Sequence, residues 1–181
     1  IRLSLNIDGR GKADINTGCG FLDHMLELFS HHSKFDLSVY CKGDIHVDYH
    51  HTAEDIAIAL GEAVNKALGD RKGINRYADI ILPMDEALIV TAVDFSGRAY
   101  LGYDMFIPAE KVGDFDTELC EEFMRAFVRE AGITLQIKQL SGTNSHHIIE
   151  GAFKALGRVL SKGVSIDERF KDEIPSTKGV I

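Results

Sequence analysis

The feature that most restricts what this chain can become is an internal repeat. His50-His51-Thr52-Ala53-Glu54 returns 96 positions later as His146-His147-Ile148-Ile149-Glu150. Ala59-Leu60-Gly61 stands against Ala155-Leu156-Gly157 at the same shift. Upstream, Phe35-Asp36-Leu37-Ser38-Val39 resembles Ile133-Thr134-Leu135-Gln136-Ile137 at a shift of 98, so two residues are lost before the second His pair. The order strand–helix–strand–strand–helix is therefore expected twice. That order predicts an α+β protein of two similar halves, 1–92 and 93–181, joined in one compact unit with helices packed on sheets.

Local patterns fill in the elements. Strands are expected near 1–8, 35–41, 44–49, 79–83, 87–95 and 133–140, from period-two or β-branched runs bounded by Gly, Asp or Pro. Helices are expected near 21–32, 52–69, 117–131 and 147–162. In the second of these, Ile56, Leu60, Ala63, Val64 and Leu68 share a face ahead of Gly69. The segment 163–181 reads as a loop. Ile1, Leu3, Leu5 and Ile7 read as the middle of a strand, so the sequence is expected to begin inside a longer chain.

Charge and cysteine content narrow the partners. A net charge of −8 argues against nucleic acid, whose phosphates demand a basic face, but leaves room for a small anion in a local cationic pocket. Cys19, Cys41 and Cys120 form no C-x-x-C pair and are odd in number, which points to a reducing, cytoplasmic setting. No apolar run approaches the roughly 18 residues of a membrane span, and no signal peptide is recognised.

The chemistry lies in the repeated motif. At the start of a helix, the first His and the Glu of His-His-x-x-Glu are four apart and share a face, so they can grip one ion. The second His lies about 100° round the helix and points elsewhere. Two copies supply four His (His50, His51, His146, His147) and two Glu (Glu54, Glu150), the larger part of two metal sites. Nitrogen and carboxylate donors without sulfur suit Mn, Fe, Co, Ni or Zn. The shift of 98 sets His24, in Gly20-Phe21-Leu22-Asp23-His24-Met25-Leu26, opposite Glu122, so each half can add one further ligand. Of the adjacent His31 and His32, His32 is the one favoured to face a site. His46 reads as structural or solvent-facing.

Candidate anion contacts are scattered along the chain: Arg76, Arg98 in Ser96-Gly97-Arg98, Lys154 one helical turn beyond Glu150, and Pro175-Ser176-Thr177-Lys178-Gly179. Hydroxyls, a glycine backbone and cationic ends of this kind can cradle a phosphate. Together they point to a small phosphorylated substrate.

Taken in order, five segments resemble the imidazoleglycerol-phosphate dehydratase family over essentially the whole chain. They are Gly20–Leu26, His50–Asp55, Ser96–Arg98, Asn144–Glu150 with Phe153-Lys154-Ala155, and Ile174–Gly179. The resemblance implies a lyase of histidine biosynthesis that converts imidazole glycerol phosphate to imidazole acetol phosphate with two Mn(II) per active site. It implies a 24-mer with sites between subunits. One ion would be held by His24, His51, His146 and Glu150, and the other by His50, Glu54, His147 and the residue at 122. His32, Arg76, Arg98, Lys154, Ser176, Thr177 and Lys178 are expected to bind substrate. Many members carry His where this chain has Glu122, and Asp where it has Tyr49. A family glutamate that is a candidate for proton transfer falls before Ile1. Three other readings stand beside this one: a dinuclear metallohydrolase, a metal-assembled shell without catalysis, and an inactive homologue.

Overall fold

A computed structural model describes all 181 residues. The first half runs β1 (Arg2–Asn6), β2 (Ala13–Asn16), α1 (Gly20–Ser33), β3 (Asp36–Tyr40) and α2 (His50–Leu68). The second half runs β4 (Tyr77–Met84), β5 (Ala87–Asp94), β6 (Tyr100–Asp104), the short hairpin β7 (Lys111–Val112) and β8 (Phe115–Asp116), then α3 (Leu119–Ala131), β9 (Thr134–Ser141) and α4 (Ser145–Val164).

The sheets repeat each other. The first has the order β1-β3-β2, with β1 antiparallel and β2 parallel to β3. The second contains β5-β9-β6 with the same two senses, and adds β4 beside β5. Each half thus contains a strand–strand–helix–strand–helix unit, not the expected strand–helix–strand–strand–helix, and the second half adds β4 and the β7–β8 hairpin. The expected division at 92/93 falls inside β5; the topology divides instead between Leu68 and Tyr77.

Three further differences have local causes. Strands β2 and β6 escape the sequence reading because each is short and only partly apolar. The stretch 44–49 alternates like a strand, but finds no ladder partner. It turns instead, with the Val47 N–H donating to Asp44 O, and Ile45 and Val47 remain exposed. The Asp48 carboxylate accepts the His50 N–H, so α2 begins at His50 rather than 52. At the other end of the repeat, Asn144 Oδ1 accepts the N–H groups of His146 and His147 and starts α4 at Ser145.

Helices occupy the middle of the molecule. α2 lies on β1 and α1 on β2, while α4 lies on β4 and β5 and α3 beside β6. The helices then pair across the duplication, α1 with α4 and α2 with α3. The result is a four-helix layer between two sheets. One cluster of 43 buried residues joins both halves, so they share a single core. No helix is long and apolar enough to cross a membrane.

The repeated glycines explain the helix pairing. A Cβ on Gly61 of α2 would sit 2.6 Å from Phe127 O on α3. A Cβ on Gly157 of α4 would sit 2.8 Å from Phe29 O on α1. Both obstacles are backbone, which cannot rotate away. Gly61→Ala and Gly157→Ala are therefore each expected to cost about 1–3 kcal/mol, as overpacking does, despite alanine's better helix propensity. Thermal unfolding checks this: a lowered Tm is expected, and an unchanged or raised Tm would show that the helix pairs tolerate separation.

Candidate metal centres and anion-binding segment

Helix geometry places the donors. In α4, His146 and Glu150 share a face turned toward α1, where His24 stands one turn inside the helix. His146 Nε2 lies 3.0 Å from Glu150 Oε2, and His24 Nε2 lies 3.6 Å from the same oxygen. In α2, His50 Nε2 lies 4.0 Å from Glu54 Oε2, and Glu122 of α3 faces both. In each of these two clusters, one donor atom per residue lies within 4.8 Å of the others. Ligands on one ion sit about 2.0–2.2 Å from it, so donors converging within this span need only small side-chain adjustments to share a cation. The donor set fits a divalent metal. Each cluster is built by one helix from each half.

His51 and His147 lie outside both clusters, as a 100° rotation from the first His requires. Each is held by a carboxylate. His51 Nδ1 meets Asp44 Oδ2 at 2.9 Å, and His147 Nδ1 meets Glu86 Oε2 at 2.7 Å. A carboxylate acceptor puts the proton on Nδ1 and leaves Nε2 as the nitrogen free to bind a metal. His147 Nε2 also has Asp85 Oδ2 at 3.8 Å. The hydrogen bond to Asp44 raises the His51 pKa, and the hydrogen bond to Glu86 raises that of His147. Glu86 is held at about 2 by the hydrogen bond from His147 and by the Asn144 and Thr143 N–H groups.

The surroundings of the two clusters differ. Burial would push the Glu150 carboxyl up, but Lys154, whose Nζ touches Oε1, and His146 together hold it below its ordinary value. Lys154 also reaches Met84 Sδ at 3.3 Å. Near the second cluster, Arg129 Nη2 is 3.8 Å from Glu54 Oε1 while its Nε donates to Glu130 at 2.8 Å. Glu121, next to Glu122 in sequence, pairs instead with Arg125.

Arg76, Arg98 and the segment Pro175–Lys178 gather at the other end of α4, whereas Lys154 stands beside Glu150. Arg76, in left-handed backbone with φ 69°, donates through Nε to Asp94 at 2.7 Å and through Nη1 to Pro175 O at 2.7 Å. The bond to Asp94 raises its pKa. It thus ties the segment Pro175–Lys178 to the end of β5. Arg98 is largely exposed, with Nη2 3.9 Å from Asp94 Oδ2. Within the segment, Ser176 Oγ accepts the Lys178 N–H and Ser176 O accepts that of Gly179. Thr177 and Lys178 are exposed. His32 lines a separate groove with Lys34, Arg158 and Lys162, and its buried Nδ1 has no hydrogen-bond partner. Burial, with help from Arg158 and Lys154, holds its pKa down. His46 is exposed.

The distance between these groups is informative. The Arg76 N–H donates to Gly163 O, 13 residues along α4 from Glu150. At 1.5 Å per residue that is roughly 20 Å. Sequence reasoning missed Asp44, Glu86 and Asp94, which hold His51, His147 and Arg76. None has an acidic counterpart at a shift of 96 or 98, so the repeat gave no signal for them.

A family model described as imidazoleglycerol-phosphate dehydratase matches residues 17–160. A protein of that name from Azorhizobium caulinodans is 53% identical over 181 residues, covering 100% of this chain and 92% of its own length. One from Thermoanaerobacter pseudethanolicus is 56% identical, covering 100% and 93%. Among solved structures, the imidazoleglycerol-phosphate dehydratase of Staphylococcus aureus is similar with a TM-score of 0.86 at 43% identity, covering 91% of this chain and 94% of that one. IGPD from Pyrococcus furiosus gives 0.81 at 36% identity, covering 99% and 95%. The chain belongs to the imidazoleglycerol-phosphate dehydratase family and is a dehydratase, a lyase by reaction class.

Proposed function

We propose that this protein converts imidazole glycerol phosphate to imidazole acetol phosphate in histidine biosynthesis, with two Mn(II) per active site and each site shared between subunits. The carrying observation is the pair of three-residue clusters, each with its fourth expected histidine facing away. His24, His146 and Glu150 would hold one ion, completed by His51 of a second copy. His50, Glu54 and Glu122 would hold the other, completed by His147 of a second copy. Bound there, the ions supply Lewis acidity to a substrate whose reaction must remove a weakly acidic C–H proton and expel hydroxide.

Distance supports the sharing. The substrate spans no more than about 10 Å by standard bond lengths, about half the rise along α4 from Glu150 to the residue that accepts the Arg76 N–H. That span favours a neighbouring copy bringing one end to the other, in keeping with the 24-mer that the resemblance implies. In this reading Arg98 and Lys178 neutralise the phosphate, and Ser176 and Thr177 donate to its oxygens. Arg76 holds their segment in place through Pro175 and adds charge. Lys154 orients Glu150. His32 lies in the separate groove with Lys34, Arg158 and Lys162, where its imidazole adds a hydrogen-bonding group rather than a charge. Binding the phosphate remote from the reacting carbons orients the glycerol chain. The buried, unpaired cysteines fit a cytoplasmic setting.

Turnover tests the reading. Metal-stripped protein is expected to be inactive and to regain formation of imidazole acetol phosphate with two Mn(II) per chain. Absence of product at any metal loading would leave the shell or inactive-homologue reading; release of phosphate from simple esters would favour the hydrolase. Glu86→Ala removes the acceptor of the His147 Nδ1–H and is expected to weaken one of the two Mn(II) about 10–100-fold, as loss of an outer partner does. Calorimetric titration showing both ions bound as in the parent protein would remove Glu86 from this role.

A further inference from the structure

The two clusters occupy equivalent places in the repeat but do not hold equivalent donors. The cluster of α1 and α4 offers two imidazoles and one carboxylate: His24, His146 and Glu150. The cluster of α2 and α3 offers one imidazole and two carboxylates: His50, Glu54 and Glu122. The difference comes from one position, His24 in α1 against Glu122 in α3. Adding a histidine to each, as the proposed function does, leaves the difference in place.

Nearby charge enlarges it. Lys154 touches Glu150 and is itself mostly buried, so the single negative charge of the first cluster has a close countercharge. The second cluster carries two carboxylates, and its nearest cation, Arg129, is half exposed, is 3.8 Å from Glu54 and is committed to Glu130. Oxygen-rich, negatively charged sites favour hard ions such as Mg(II) and Mn(II), whereas imidazole-rich sites favour Zn(II), Co(II) and Ni(II).

We infer that the two metal sites are chemically unequal, and that Glu122 makes the second site selective for hard, oxygen-preferring divalent ions while the first prefers nitrogen-seeking ones. This rests on the two-metal reading above. A protein loaded with Mn(II) would therefore exchange its ions one at a time when challenged with Zn(II), the first site giving way first. Mg(II) would compete in the opposite order.

The experiment is metal exchange on the assembled, Mn(II)-loaded protein. Zn(II) is titrated in, free Mn(II) is followed by electron paramagnetic resonance, and bound metal is counted by elemental analysis. Two phases of one Mn(II) per chain are expected, with midpoints at least about tenfold apart in Zn(II), equivalent to 1.4 kcal/mol. Glu122→His is expected to merge them by making the second site nitrogen-rich. His24→Glu is expected to merge them from the other side, moving the early phase to higher Zn(II), and serves if the first variant fails to assemble. A single phase in the parent protein overturns the inference while leaving two-metal binding intact, as do variants that keep the parent's two phases. Failure to bind two Mn(II) at all overturns the two-metal reading, and the inference with it.

Discussion

An α-helix advances 100° per residue, and the rest of this molecule is arranged around that constraint. In His-His-x-x-Glu the first His and the Glu meet on one face, and the second His cannot join them. The structure shows the consequence twice. His146 and Glu150 converge with His24, and His50 faces Glu54 and Glu122, while His147 and His51 turn away to Glu86 and Asp44. A motif of this kind is suited to bridging: it grips an ion on one side and offers an imidazole on the other. In the proposed reading, one chain holds three donors of each site and presents the fourth to a neighbour.

The duplication makes the three-donor clusters possible. Neither half could build one alone, because each needs a helix from both halves. α1 meets α4 and α2 meets α3, and at each crossing a glycine at the same place in the repeat lets the backbones approach. The core is continuous across the junction, so the relative position of His24 and Glu150, or of His50 and Glu122, is set by packing rather than by loops. Such support suits ligands that must stand within a few tenths of an ångström of their positions.

Much of this was legible in the sequence. The repeat gave the two similar halves, and the i, i+4 spacing gave the pairing of each first His with its Glu. The shift of 98 set His24 against Glu122, and the two take equivalent places in their clusters. Short elements were harder to read. β2 and β6 have too few buried residues to show a period, and 44–49 shows a period without having a partner. Groups that act through other side chains were harder still. Asp44, Glu86 and Asp94 lie in turns or at a strand end, where acidic residues are common, and no repeat copy singles them out. The tie between Arg76 and Pro175 joins residues 99 positions apart, which no local pattern encodes.

The claim that each site is shared between copies is tested most directly by mixing two disabled chains. His24→Ala spoils the three-donor cluster, and His51→Ala spoils the donor offered to a neighbour. Each variant alone is expected to lack turnover and to bind one Mn(II) per chain. Co-assembled, they should recover part of both, because a His51→Ala chain supplies an intact His24 cluster to the His51 of a His24→Ala chain. Recovery in verified mixed assemblies is the predicted result. Mixed assemblies that stay inactive and short of metal would contradict the account and return all four ligands to one chain.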